Sequence, residues 1–327
     1  MKSFEYAAPK TLKEATGLLG DKWGEVEILA GGTDLITSLK QGITAPKRVV
    51  SLKNISDLQG IKSSKGTLRI GSMTRLRELV ANRDVQKYFP ALITAAKSIG
   101  SPQMLTMGTV GGDLCQRPRC WYFRNGHGLL GTNGDKSLVR EGDNRYHAIY
   151  ATDGPALFVS ASSLGPVFMA LDATFTAAGP DGKTRQITAA DFFRVPKSNQ
   201  ERENSLNPNE VLTEIAVPLK EVRNATYEVR HRGGLDWPYA TATVAFTSKN
   251  GVASDARVIL GHVAATPVIA AQAAQALNGT AIDEAVATKC AEVAVQTAKP
   301  LSGNAYKIQL TRAAVKRAAL AAAGAKA

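Results

Sequence analysis

Two stretches of bare backbone constrain this chain most: Ala30-Gly31-Gly32-Thr33-Asp34 and Gly108-Thr109-Val110-Gly111-Gly112-Asp113. Each combines adjacent glycines with a threonine and an aspartate. Without Cβ atoms the chain reaches positive φ there and lets another group approach closely. Successive N–H groups in such a turn converge and make a nest for an anion, and the threonine hydroxyl adds a donor. Taken alone, either stretch reads as an ordinary tight turn, since Gly-Gly turns are common. As a pair they are suited to grip the two phosphates of a dinucleotide from either side. Neither GxGxxG nor GxxxxGK[ST] occurs, so a Rossmann or Walker phosphate site is unsupported.

The flanking residues predict a β-α-β-like unit around the first stretch. Thr11-Leu12-Lys13-Glu14 has the form of a capping box, opening a helix with Leu12, Ala15, Leu18 and Leu19 inward. Val26 and Ile28 alternate with Glu25 and Glu27 as a half-buried strand. Leu35, Ile36 and Leu39 then share one helical face, and Val49, Val50 and Leu52 give another strand. Leu68 and Ile70 predict a further strand, and Thr74 a cap for a helix carrying Leu76, Leu79 and Val80. Pro90 fits the first turn of a helix burying Leu92, Ile93 and Ala96 and ended by Ser101-Pro102. Residues 124–146 are polar and glycine-rich and predict a long surface excursion. Leu157 to Val159 and Val167 to Phe175 read as resumed sheet. Gly, Pro and Asn enrichment over 178–210 marks a passage between domains. Strands are expected at 211–218, 226–232, 240–248 and 255–264. Alanine-rich helices follow at 267–277, 281–298 and 305–323, with Asn278-Gly279 and Pro300 as stops.

With 327 residues and 44% hydrophobic content the chain can bury more than one core. No apolar run approaches the roughly 20 residues of a membrane span. The opening MKSFEYAAPK shows neither an apolar signal core nor a twin-arginine pair. A cytoplasmic location is therefore expected, or a periplasmic one reached by co-export with a partner. The net charge of +12 comes from scattered residues, densest at Arg117, Arg119 and Arg124. Without basic-aromatic alternation this predicts a solvated surface or a docking face for acidic partners, not a nucleic-acid module. Three cysteines, Cys115, Cys120 and Cys290, give no disulfide framework. They also fall short of the four thiolates that usually hold an iron–sulfur cluster. His127 and His147 lack metal-ligand spacing, so no metal site is expected.

The order of the motifs resembles one family. LAGGTDLI after a strand, SPQMLTMGTVGGDL, QRPRCWYFR and EGDNRYHAI are similar to the FAD-binding subunit of the xanthine dehydrogenase and carbon monoxide dehydrogenase group of molybdenum hydroxylases. More narrowly, they resemble the flavin subunit of bacterial three-subunit aldehyde oxidoreductases. FEYAAPKTLKEATGLL, LGPVFMALDA at 164–173 and PLSGNAYKIQL at 300–310 carry the resemblance nearly end to end. It implies an α+β chain with a vanillyl-alcohol-oxidase (PCMH-type) FAD-binding fold. Residues 1–178 would form an FAD-binding domain of two α/β subdomains, about 1–54 and 55–178. Residues 179–327 would form a domain like the carbon monoxide dehydrogenase flavoprotein C-terminal domain, an antiparallel sheet with a helical bundle. By position, the resemblance implies that Leu29, Ala30, Gly31, Gly32, Thr33, Asp34 and Leu35 line the FAD pyrophosphate. Thr109, Gly111, Gly112 and Asp113 would form the second phosphate and ribityl loop. Ser163 falls where the family has an aspartate contacting adenine or ribose.

The chain also departs from the family. Asp113 stands where an asparagine is usual, and a carboxylate beside a pyrophosphate is repulsive unless it turns to other donors. A family lysine near the flavin is replaced by Glu228, leaving Arg230, His231 or Arg232 to balance the reduced flavin's charge. Relatives hold a [4Fe–4S] cluster on four cysteines. Cys120 matches the first, while the other three positions fall near Leu129, Ser137 and Ala156. No such cluster is expected here, Cys120 is expected as a buried or half-buried thiol, and Cys290 as a packing residue. Trp237-Pro238-Tyr239 is suited either to the flavin ring or to a core or interface.

The function implied is electron transfer, with no residue acting as acid or base. A large molybdopterin subunit would oxidise an aldehyde or N-heterocycle, and a small [2Fe–2S] subunit would deliver electrons to FAD here. An external acceptor would then receive them. The alternative is an autonomous FAD-dependent oxidase of the same fold, which needs a His or Tyr base over the flavin.

Overall fold

The computed structural model describes residues 1–233 and 236–325. Its first layer is a parallel sheet of β1 (Glu5–Ala7), β2 (Val26–Leu29) and β3 (Arg48–Ser51), with β3 central. Helices α1 (Leu12–Gly17) and α2 (Leu35–Lys40) connect them. The start of α1 is fixed by its cap. Thr11 Oγ1 accepts from the Glu14 N–H at 3.2 Å, while the Glu14 carboxylate accepts from the Thr11 N–H, so two helix-start donors are satisfied. Ala15 is fully buried, and Leu12, Leu18 and Leu19 pack half-buried against Val50, Leu52 and Ile55.

The next layer begins with the hairpin β4 (Ile61–Ser64) and β5 (Thr67–Gly71). Helices α3 (Leu76–Ala81), α4 (Arg83–Tyr88), α5 (Pro90–Ser98), α6 (Pro102–Met107), α7 (Val110–Cys115) and α8 (Trp121–Arg124) follow. A two-residue ladder of β6 (Thr132–Asn133) and β7 (Lys136–Ser137), then α9 (Leu138–Glu141) and α10 (Leu164–Ala170), lead back to the sheet. It is completed by β8 (Thr174–Ala178), β9 (Thr184–Thr188) and, after α11 (Ala189–Phe192), β10 (Val211–Pro218). The order is β4-β5-β10-β8-β9, all antiparallel. Leu68, Ile70, Phe175 and Ile215 of this sheet pack on Leu92 of α5 and Phe168 of α10. Burial contributes about 1.5–3 kcal/mol for each such side chain. Phe175 meets Phe168 and Phe192 edge-on at 6.0 and 4.9 Å.

A third sheet of β11 (Arg223–Val229), β12 (Ala240–Lys249), β13 (Val252–Gly261) and β14 (Val268–Ile269) is an antiparallel meander. Helices α12 (Ala271–Gln275), α13 (Glu284–Val295) and α14 (Tyr306–Ala323) cover it. Ala287, Ala291, Ala314 and Ala318 are buried between α13, α14 and the sheet, where short side chains let the helices approach. Among the described residues no helix is long and apolar enough to cross a membrane.

Several expectations are corrected. The boundary at 178/179 cuts through one sheet, because β9 and β10 pair with β8, and β10 also pairs with β5. The passage to the third sheet is only 219–222. The Gly-, Pro- and Asn-rich composition of 178–210 reflects turns inside the domain, such as Gly182 at φ +70. Residues 124–146 are largely exposed, as expected, but the excursion is pinned to the body of the domain by Leu129, Leu130, Val139 and Asn144, which are buried. Residues 157–159 form no strand, and 164–170 are helix; a run buried on all sides shows no period to tell the two apart. Thr74 does not cap α3. Its hydroxyl donates to Gly60 O at 2.9 Å, and Arg75 takes the cap position. Ser101-Pro102 does more than end α5: Ser101 caps α6, with Pro102 in its first turn.

Candidate functional site

The two glycine stretches meet. The first leaves β2 and opens α2. A Cβ on Gly31 would lie 2.9 Å from Met107 C and inside contact distance of Met107 O, so only glycine allows this approach. Gly32 sits at φ +82. The second stretch is not a loop throughout, and this corrects the expectation. Thr109 caps α7, its Oγ1 accepting from the Gly112 N–H at 3.1 Å, and Gly111 to Asp113 form the first helical turn. Gly111 donates its N–H to Ser72 O at 2.8 Å. A Cβ on Gly112 would come within 4.0 Å of the Ala30 Cβ, so the bare faces look toward each other.

Between them opens a cleft of about 780 Å³, lined by Ala30 to Leu35 and by Thr109, Gly111 and Gly112. Among the described residues, the N–H groups of Gly31, Gly32, Thr33 and Asp34 find no acceptor. Two helix starts add positive potential at the same place. The cleft is within the roughly 300–1,000 Å³ typical of small-molecule sites.

Asp34 lines this cleft, but its carboxylate is held by protein. Oδ2 accepts from the Arg117 N–H at 2.8 Å, and Oδ1 meets Arg124 Nη2 at 3.0 Å and Arg119 Nη1 at 2.8 Å. It therefore anchors the RPRCWYFR segment to the first glycine stretch. Arg117 also pairs with Glu203 at 2.9 Å, and burial pushes the Glu203 carboxyl up to about 7 in spite of the nearby Arg202 charge.

Asp113 turns away from the cleft. Its Oδ2 accepts from Ser162 Oγ at 2.5 Å and from the Leu164 N–H at 3.0 Å, and Oδ1 accepts from Gln116 Nε2 at 2.9 Å. Burial raises its carboxyl to about 6. The carboxylate thus ties α7 to the start of α10 and does not face a phosphate, which corrects its expected place in a phosphate loop. Ser163 is buried at the cap of α10 and is not among the residues lining the cleft. His231 does not reach the cleft either: its side chain is 74% exposed, 3.7 Å from Asp236, beside a smaller pocket. Arg230 is bound to Glu228 through its Nε at 3.0 Å, leaving Glu228 Oε1 buried without a partner.

The cysteines are separate. Cys120 Sγ lies 3.1 Å from His147 Nε2, and burial raises its thiol. Leu129, Ala156 and Cys120 belong to one apolar cluster with Phe123, Leu130 and Phe158, so the one matching cysteine is packed beside two aligned positions whose side chains cannot ligate iron. Among the described residues no group of three or more His, Cys, Asp or Glu side chains is arranged to hold a metal. Cys115 lines the larger cleft, its thiol pushed up to about 12 by burial. Cys290 is buried on the inner face of α13.

Several lining residues escaped sequence reasoning. Trp23 and Arg202 stack at 4.8 Å, and Arg202 pairs with Glu27 at 2.7 Å. Residues 199–206 carry no motif and read as linker, so only the returning β10 reveals that they wall the cleft.

Comparison with known proteins agrees with this geometry. The family described as FAD binding domain in molybdopterin dehydrogenase matches residues 2–220, and CO dehydrogenase flavoprotein C-terminal domain matches residues 225–322. The chain is 30% identical to the carbon monoxide dehydrogenase medium chain of Hydrogenophaga pseudoflava, over 98% of this chain and 96% of that one. It is 29% identical to the aldehyde oxidoreductase FAD-binding subunit PaoB of Escherichia coli, over 95% and 96%. Identity alone does not separate these branches. The crystal structure of quinoline 2-oxidoreductase from Pseudomonas putida 86 superposes with a TM-score of 0.77 at 25% identity, covering 99% of this chain and 98% of that one. The chain belongs to the molybdopterin-dehydrogenase family of FAD-binding proteins, with a carbon monoxide dehydrogenase flavoprotein C-terminal domain over residues 225–322.

Proposed function

We infer that this chain is the FAD-carrying electron-transfer subunit of a heteromeric molybdenum hydroxylase, passing electrons from partner iron–sulfur clusters to an external acceptor. The observation that carries the reading is the row of N–H groups at Gly31 to Asp34, without acceptors among the described residues, on the same cleft as Thr109, Gly111 and Gly112. That arrangement fits a diphosphate. Gly31, Gly32 and Thr33 would donate to one phosphate, and the α7 start at Thr109 to Gly112 would face the other. Ala30 and Leu35 would pack on the cofactor's apolar edges; Leu29, expected there too, is instead buried with Leu39 and Val49 and does not line the cleft, while Asp34 and Asp113 hold the cradle's shape through their protein partners. Bound FAD supplies two-electron storage with one-electron release, which side chains lack. The protein's part is to bind, orient and shield it.

Partners are a large molybdopterin subunit and a small [2Fe–2S] subunit. Both the carbon monoxide dehydrogenase medium chain and PaoB are by name single chains of larger oxidoreductases. The apolar packing around Cys120 does not suit a [4Fe–4S] cluster, so no step is routed through one in this chain. An autonomous oxidase requires a His or Tyr base, and among the described residues the larger cleft is lined by neither. The test is purification of the native assembly through a tag on this chain. Molybdenum and a [2Fe–2S] signal should co-purify; a lone flavoprotein that turns over an organic substrate contradicts the reading.

A further inference from the structure

Arginines crowd the tie between the two glycine stretches, and one of them is incompletely paired. Arg119 and Arg124 both meet Asp34, while Arg202 meets Glu27 at 2.7 Å and lies over Trp23. Arg117 is fixed by protein along its length. Its backbone N–H donates to Asp34 Oδ2 at 2.8 Å, its Nε donates to Glu203 at 2.9 Å, and its guanidinium lies 5.0 Å from the Phe123 ring. Among the described residues its two Nη groups donate to no acceptor, and neither is a buried atom left without a partner. Arg117 lines the larger cleft together with Ala30 to Asp34 and Gly112. A fixed guanidinium with open Nη groups suits a phosphate oxygen.

Glu203 decides how much of that charge is felt. It lines the same cleft, with its side chain 12% exposed. Burial, helped by the nearby Asp34 and Glu27 carboxylates, raises its carboxyl to about 7 against the opposing charge of Arg202. Arg117 and the Cys115 thiol also face it, and burial keeps that thiol protonated. Ionised Glu203 neutralises Arg117, and protonated Glu203 leaves the guanidinium its full charge. Asp113 titrates lower, at about 6, and turns to Ser162.

We propose that Arg117 is a side-chain clamp on the diphosphate bridge, and that Glu203, bonded to its Nε, makes ligand binding take up a proton. The identity of the ligand rests on the FAD reading above; the clamp itself requires only a diphosphate diester in the cleft. A phosphate beside the pair favours the protonated acid and raises its value in the complex. Affinity is therefore highest below about pH 7 and falls as pH rises through it.

The experiment is calorimetric titration of the deflavinated full chain with FAD and, separately, with ADP-ribose, which carries the same diphosphate link but no flavin. Neither probe has a group that titrates near neutral pH. Kd for both should rise about tenfold from about pH 6.5 to about pH 9, the linkage for an acid raised by one unit in the complex. Paired titrations in two buffers of different ionisation heat should show a fraction of a proton taken up near neutral pH. Glu203→Gln, which keeps an acceptor for Nε, should abolish that uptake and hold the tight Kd at every pH. Arg117→Met should weaken binding about tenfold at the acid end, the loss of one charge-assisted contact, and Arg117→Lys should regain part of it. A pH-independent Kd, an unaltered profile in Glu203→Gln, or parental affinity in Arg117→Met overturns the proposal, while FAD binding in those same titrations leaves the flavin reading standing. Should Arg117→Met not fold, Glu203→Gln decides alone. ADP-ribose binding with this pattern and no uptake of FAD supports the clamp and refutes the flavin reading; no binding of either probe refutes both.

Discussion

Replacing Gly31 by alanine puts the contact between the two glycine stretches under direct strain. The new methyl would sit 2.9 Å from Met107 C and 3.2 Å from Gly108 Cα, and would overlap Met107 O. All three are backbone atoms, so no side-chain end can swing aside. The stretches must separate by about 1.4 Å to bring Met107 O to ordinary contact, and overpacking of this kind costs about 1–3 kcal/mol or more. Gripping a diphosphate from two sides needs the closed arrangement, so the strain falls on the bound state. About 3 kcal/mol corresponds to a Kd for FAD raised roughly 100-fold. Gly17→Ala is the control, because nothing lies within 4 Å of its Cβ position and its φ is not positive. Fluorescence titration of the deflavinated chain with FAD measures both. A Gly31→Ala chain that binds FAD as tightly as the parent refutes the paired-cradle reasoning.

Asp34→Asn should lower stability by about 3 kcal/mol, because Arg119 and Arg124 lose their shared, partly buried counter-charge; calorimetry showing an unchanged melting temperature would contradict this. Asp113 has a folded-state value of about 6, above the ordinary value near 4. Its ionisation therefore weakens the fold progressively from about pH 4 through pH 6, by about 3 kcal/mol in all. Asp113→Asn should gain on the parent over that window in urea unfolding, and a pH-independent gap would refute the assignment. Lys307 is fully buried, donating to His147 O at 3.0 Å and His262 O at 2.8 Å, with burial lowering its value to about 7. The unfolded chain holds a proton that the folded one lacks between about pH 7 and 10, so parental stability should rise there by about 1.4 kcal/mol per pH unit. Lys307→Met should flatten that rise; an equal slope in both chains shows that Lys307 does not cause it.

Much of the fold was legible because its signals are local. The Thr11/Glu14 capping box, the Val26 to Leu29 strand and the alanine-rich helices all depend on neighbours within a few residues. The domain boundary was not, because β10 returns to the middle of a sheet begun about 150 residues earlier, and nothing local to 179–210 encodes that return. The glycine stretches were readable as a pair, yet their division of labour was not. Asp34 and Asp113 look alike in sequence, and only the folded chain shows one bound to arginines and the other to Ser162 and Leu164. Ser163 and His231 were placed by position in a family pattern, and position does not report where a side chain stands.

The most direct measurement is the flavin content of the purified full-length chain, from its visible spectrum and from cofactor released on denaturation. One FAD per chain, retained through dialysis and lost in Gly31→Ala, is the expected result. A colourless chain that takes up no FAD from excess would mean that the cleft between Ala30 and Gly112 serves some other ligand.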